Sequence, residues 1–154
     1  MLEMARGNLP AAETLLDEAL ANAREHKHWM LGQVLTNVGD LQVRQHRPEL
    51  AAPALDEART LLTAEYRDQL SGTAAWRRAI LDSVAGSYQI ERAALPEAER
   101  LLTSAWPVLR ARFGNHSYFG DQCLEHLSRL YEIRGNSKIA HEYRSLLRSA
   151  RAAD

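Results

Sequence analysis

Cys123 and His126 stand three positions apart in Gln122-Cys123-Leu124-Glu125-His126, a stretch whose apolar spacing predicts a helix. Residues i and i+3 share a helix face. A thiol and an imidazole placed this way can reach one metal ion or act as nucleophile and base. Either chemistry needs more than two groups. Zinc takes four ligands, and the chain has neither an HExxH nor a CxxC spacing. A thiol nucleophile also needs an orienting group and oxyanion donors, and no segment supplies a recognisable set. Cys123 is therefore expected in the core, as a small apolar side chain.

The other ionisable candidates form no constellation. His26, His28, His46, His116 and His141 are scattered, mostly near predicted helix ends or on polar faces. For His26 and His46 the dipole of a helix C-terminus is reason enough. No Gly-rich phosphate loop is present. Asn115-His116-Ser117 fits a glycosylation sequon, which a cytosolic chain does not use. Trp29, Trp76 and Trp106 are expected in inter-helix packing rather than in a ligand cage. No catalysis, cofactor or metal is expected of this segment.

Nineteen basic residues balance twenty acidic ones, for a net charge of −1. Nucleic acid and membrane surfaces call for a clustered positive field, and here the signs alternate along Ala/Leu-rich stretches. The single cysteine excludes an internal disulfide and fits the reducing cytosol. No apolar run approaches the roughly 20 residues of a membrane span. Residues 1–6 include an acid and lack an apolar signal core. The reading is a cytoplasmic chain, and an arginine-rich composition (17 Arg, 2 Lys) suggests a GC-rich bacterial genome.

Elements that could position a binding surface are repeated. LPAAETLL (9–16) and LPEAERLL (95–102) agree at six of eight positions. Anchored on Ala12 and Ala98, the pattern recurs at Ala51 and Ala140. Each anchor opens an i, i+3, i+4, i+7 stripe such as Ala98, Leu101, Leu102 and Ala105. Upstream of three anchors runs a second motif: Leu35-x-x-Val38-Gly39-x-x-Gln42, Leu81-x-x-Val84-Ala85-x-x-Tyr88 and Leu124-x-x-Leu127-Ser128-x-x-Tyr131. The small residue in each predicts a close helix crossing. Helices are predicted over 10–26, 28–45, 49–66, 73–92, 95–113, 117–134 and 137–151. Pro10, Pro48 and Pro96 fall in first turns, Ser117 and Thr73 at N-caps, and Gly114 at a helix stop. Pro53 lies early enough in its helix to be tolerated. Pro107, inside a helix, predicts a kink near Trp106. Residues 67–72 form the longest predicted linker.

These paired motifs resemble the tetratricopeptide repeat, whose large-x-x-Leu-Gly-x-x-Tyr and Ala-x-x-x-Phe segments alternate. The resemblance covers nearly the whole chain as one domain: a half repeat over 1–26 and repeats over 28–66, 73–113 and 117–151. Gly7, His46 and Gly135 stand at the family's inter-helix turn, and one extra residue is placed near Arg92 to Ala94. Steps of 39, 47 and 42 residues resemble the longer-helix type of kinesin light chains. The stretch 129–147 is similar to arrays that follow bacterial serine/threonine kinase domains.

The family implies an all-α, right-handed superhelical array of antiparallel helix pairs, about seven helices in all. It also implies a concave wall where partners lie. Carried over by offset, that wall holds Gln33, Thr36, Asp40 and Arg44, then Asp82, Gly86 and Gln89, then Gln122, Glu125, Arg129 and Glu132. Asp40, Asp82 and Glu125 oppose capture of an acidic tail. The expected function is a protein–protein interaction scaffold that takes a peptide or a partner helix. The alternatives are a docking or dimerisation region of a bacterial protein kinase and a peptide-sensing receptor. Leu15, Leu16 and Leu20 are expected to lie open at the N-terminal edge, as in a fragment or a homodimer joined there.

Overall fold

The computed structural model describes residues 2–26, 29–68, 73–114 and 117–151. Among the described residues every regular element is a helix: α1 Leu2–Ala5, α2 Leu9–Glu25, α3 Leu31–Arg44, α4 Pro48–Asp68, α5 Thr73–Glu91, α6 Leu95–Phe113, α7 Tyr118–Ile133 and α8 Ser137–Arg151. The protein is all-α. His28, Asn115, His116 and most of the expected linker lie outside the described residues, as does the Thr73 side chain.

The chain divides into two compact units, residues 1–81 and 82–154, and α5 contributes to both. In the first unit α1 packs on α2, α2 on α3 and α3 on α4. Gly32 faces Leu62 while Gly39 faces Leu55, so α3 and α4 run antiparallel. Met4, Ala12, Leu16 and Leu41 form a shared cluster, flanked by Leu9 and Val38. This corrects the open edge expected from sequence. The single turn of α1 brings Met4 onto Leu16 and covers it, and only Leu15 is left largely exposed, at 56%. In the second unit α6 packs on α7 and α7 on α8. Its core holds Leu101, Leu102, Leu109, Leu124, Leu127 and Leu130, all buried.

Four helix-to-helix turns share one backbone design. Gly7, His46, Ala93 and Gly135 take φ of +75°, +57°, +58° and +72°. In each turn that residue's N–H donates to the carbonyl three back, and the next N–H donates to the carbonyl five before itself. For Ala93 these are the Ile90 and Gln89 carbonyls, at 3.0 and 2.9 Å. For His46 they are the Val43 and Gln42 carbonyls, at 3.0 and 2.9 Å. Such paired bonds satisfy the carbonyls that a helix end leaves open. Five residues beyond each turn stands an anchor: Ala12, Ala51, Ala98 and Ala140 are all buried.

The extra residue expected near Arg92 to Ala94 is therefore absent, because the crossing in this repeat rests on a different small residue. Gly86, not Ala85, is the counterpart of Gly39. A Cβ on Gly86 would come within 2.5 Å of Leu102 Cγ, as one on Gly39 would come within 2.4 Å of a Leu55 methyl. Counted from Gly86, the spacing to the next anchor equals that from Gly39 and from Ser128.

An L-residue in the left-handed region costs about 1–2 kcal/mol, and glycine returns part of this through its freedom in the unfolded chain. Ala93→Gly is expected to raise the unfolding free energy by about 0.5–1 kcal/mol, read as a higher denaturant midpoint at unchanged slope. An unchanged or lower midpoint would contradict the turn geometry.

Local signals explain most helix ends. Ser117 caps α7, its Oγ accepting from Gly120 N–H at 3.1 Å. Gly114, at φ +80°, ends α6. Pro107 does not interrupt α6, which continues to Phe113. The proline is exposed, so the carbonyl it leaves unbonded can take water. Trp29 differs from its expected packed role. It precedes α3 in a turn and is 63% exposed, with the Arg77 guanidinium 4.4 Å from its ring. Trp76 and Trp106 are half-buried.

Candidate interaction surface

In the first unit, α3 carries Gln33, Thr36, Asp40 and Arg44 on one face. Thr36 has no exposed surface, and its hydroxyl donates to the Gly32 carbonyl at 2.8 Å. Gln33 is buried, and its amide donates to Asn37 Oδ1 at 3.4 Å. Asp40 is also buried, and Arg44 Nε donates to both of its carboxylate oxygens at 3.2 Å. That cation offsets part of the cost of burying the carboxylate. Of the four, only Arg44 offers appreciable surface to a partner.

In the second unit the one-residue register correction changes the wall. Asp82, expected there, lies within electrostatic reach of Arg100 on α6. Gln89 is half-buried. The α5 residues that match Thr36, Asp40 and Arg44 by offset from the close crossing are Ser83, Ser87 and Glu91. Sequence reasoning missed them. The signal was present in the constant spacing from Gly39, Gly86 and Ser128 to the next anchor, but Ala85 satisfied the small-residue requirement first. Ser83 and Ser87 are buried. Glu91 pairs with Arg129 of α7 at 2.7 Å, which brings the two helices' polar faces together. Gln122 is buried, whereas Glu125, Arg129 and Glu132 are exposed. Glu132 pairs with Arg144 of α8.

A second polar feature stitches α6 to the α7–α8 pair. Glu99 accepts from Tyr131 Oη at 2.6 Å and from Arg134 Nη1. The Tyr131 bond, then the Arg134 bond, hold its carboxyl below the ordinary carboxylate range. Burial, then Glu99, push the Tyr131 phenol up to about 12. Tyr131 also stacks on Tyr143, with ring centres 5.8 Å apart. Glu13 occupies the matching position after Ala12, and it accepts from Gln45 at 3.1 Å and Arg47 at 3.3 Å. Gln45 and Arg134 each stand just before the left-handed turn residue, so both units use a carboxylate to hold the next turn.

The thiol is packed as a core group. Cys123 is fully buried, and its Sγ lies 3.8 Å from the Leu102 carbonyl oxygen. Burial pushes the thiol up to about 12 against a smaller opposing pull from the Ser83 hydroxyl. Thiolate is the reactive form, and it is scarce at neutral pH in such a site. Native protein at pH 8 is expected to react with an aromatic disulfide reagent at least 100-fold more slowly than the chain in denaturant. Equal rates would contradict the burial of Cys123. Among the described residues no three His, Cys, Asp or Glu side chains gather as a metal site, and no helix is long and apolar enough to cross a membrane. An open surface depression of ≈ 550 Å³ is lined by Trp106, Pro107, Arg110, Ala111 and Gly114. Comparison with protein-family models, curated proteins and solved structures finds no match.

Proposed function

We propose that the chain is a tetratricopeptide-like array, a right-handed series of antiparallel helix pairs, and that it serves as a non-catalytic scaffold for protein–protein contact. The observation that carries this reading is the fourfold turn. Gly7, His46, Ala93 and Gly135 share one hydrogen-bond pattern, each followed at the same distance by a buried alanine. Left-handed helix ends are common in helical proteins, and the support lies in the fixed spacing: the turn is followed each time by the anchor, and in three of the four cases the close-crossing residue precedes that anchor by the same interval.

The partner on this reading is a peptide or a helix that meets the polar face of α3 in the first unit, or that of α7 and the adjoining end of α5 in the second. Helices already ordered by their cores present side chains at little entropic cost on binding. The groups with surface to offer are Arg44, Gln89, Glu125, Arg129 and Glu132, while Asp40 holds Arg44 and Gln33, Thr36 and Gln122 are buried. Neither Cys123 chemistry nor a cofactor enters this reading.

The test is a selection of peptides from a random library on the immobilised chain. The double variant Glu125→Ala and Glu132→Ala changes exposed positions and is expected to keep its helicity. Selected peptides are expected to bind it at least tenfold more weakly, about 1.4 kcal/mol. Reversing the sign of Arg44 is a poor test, because it would set a second carboxylate beside buried Asp40. Undiminished binding to the double variant would remove the polar wall as the docking face.

A further inference from the structure

We draw no further inference here: the strongest candidate, the surface patch of exposed Trp29 and Met30 beside half-buried Trp76 and Arg77 where α3 and α5 begin, carries nothing, because nothing in the structure shows what would cover it.

Discussion

Leu102→Ala is expected to lower the unfolding free energy by about 3–5 kcal/mol, and to reverse the sign of a second change, Gly86→Ala. Leu102 has no exposed surface, and its branch carbons sit where a Gly86 Cβ would stand, 2.5 Å from Cγ and 2.8 Å from one methyl. Truncating a fully buried leucine removes its transfer energy and leaves a cavity, together about 2–5 kcal/mol. The upper part of that range applies because helix backbone lies on the far side and cannot collapse into the gap.

In the intact protein Gly86→Ala forces Leu102 off its seat. Overpacking of this kind costs about 1–3 kcal/mol, while alanine in place of a helical glycine returns about 1 kcal/mol. The net expectation is a loss of about 1 kcal/mol. Once Leu102 is an alanine the clash is gone and only the helix preference remains. Gly86→Ala then becomes stabilising, by up to about 1 kcal/mol. The coupling from a double-mutant cycle is about 2 kcal/mol, well above the few tenths found between independent sites. Equilibrium unfolding of the four proteins reads it. The same sign for Gly86→Ala in both backgrounds would contradict the contact. Gly39 and Leu55 are expected to behave alike.

The second large effect concerns Glu99. Tyr131→Phe removes one of its two donors and leaves a carboxylate held by Arg134 alone. Hydrogen bonds to charged groups contribute about 1.5–3 kcal/mol. A third of Glu99 is exposed, so water takes up part of the loss and the lower end, about 1.5 kcal/mol, is expected at pH 7. The folded-state pKa of Glu99 lies below its unfolded value. Its stabilisation is therefore complete above the unfolded value, near 4.3, and disappears as pH falls through the lower folded value. The gap between wild type and Tyr131→Phe should shrink on acidification. At the alkaline end the sign is opposite. The Tyr131 phenol is raised to about 12, so its contribution is complete below about 10 and is lost as pH climbs towards the folded value. Urea unfolding at pH 3, 7 and 10.5 gives both limbs. A gap that stays constant from pH 7 to 3 would mean that Tyr131 packs without bonding the carboxylate.

Much of this architecture was legible in the residues. Apolar stripes behind Ala12, Ala51, Ala98 and Ala140 place α2, α4, α6 and α8, because burial of one face dictates the period. Prolines and Ser117 mark starts, and glycines mark two of the four shared turns. What escaped had physical causes. Ala85 and Gly86 are adjacent and both small, and only the neighbouring Leu102 decides which of them lies under the crossing. Ala93 gives no sign of a left-handed turn, since alanine avoids that region unless two helix-end hydrogen bonds hold it there.

The polar wall was the least legible part. Thr36 and Gln33 are polar by type, which points to the surface, yet both are buried. A threonine that bonds its own helix carbonyl can be buried without penalty, and side-chain type alone does not say whether it does so. Trp29 failed in the opposite direction, because the helix expected to include it begins two residues later.

The repeated close crossing is tested most directly by proton–proton Overhauser contacts in the folded protein. Strong contacts are expected from the Gly39 α-protons to the Leu55 methyls and from the Gly86 α-protons to the Leu102 methyls. If Gly39 lacks its contact, or if the Ala85 methyl rather than Gly86 meets Leu102, the two crossings are not equivalent and the serial array of helix pairs is wrong.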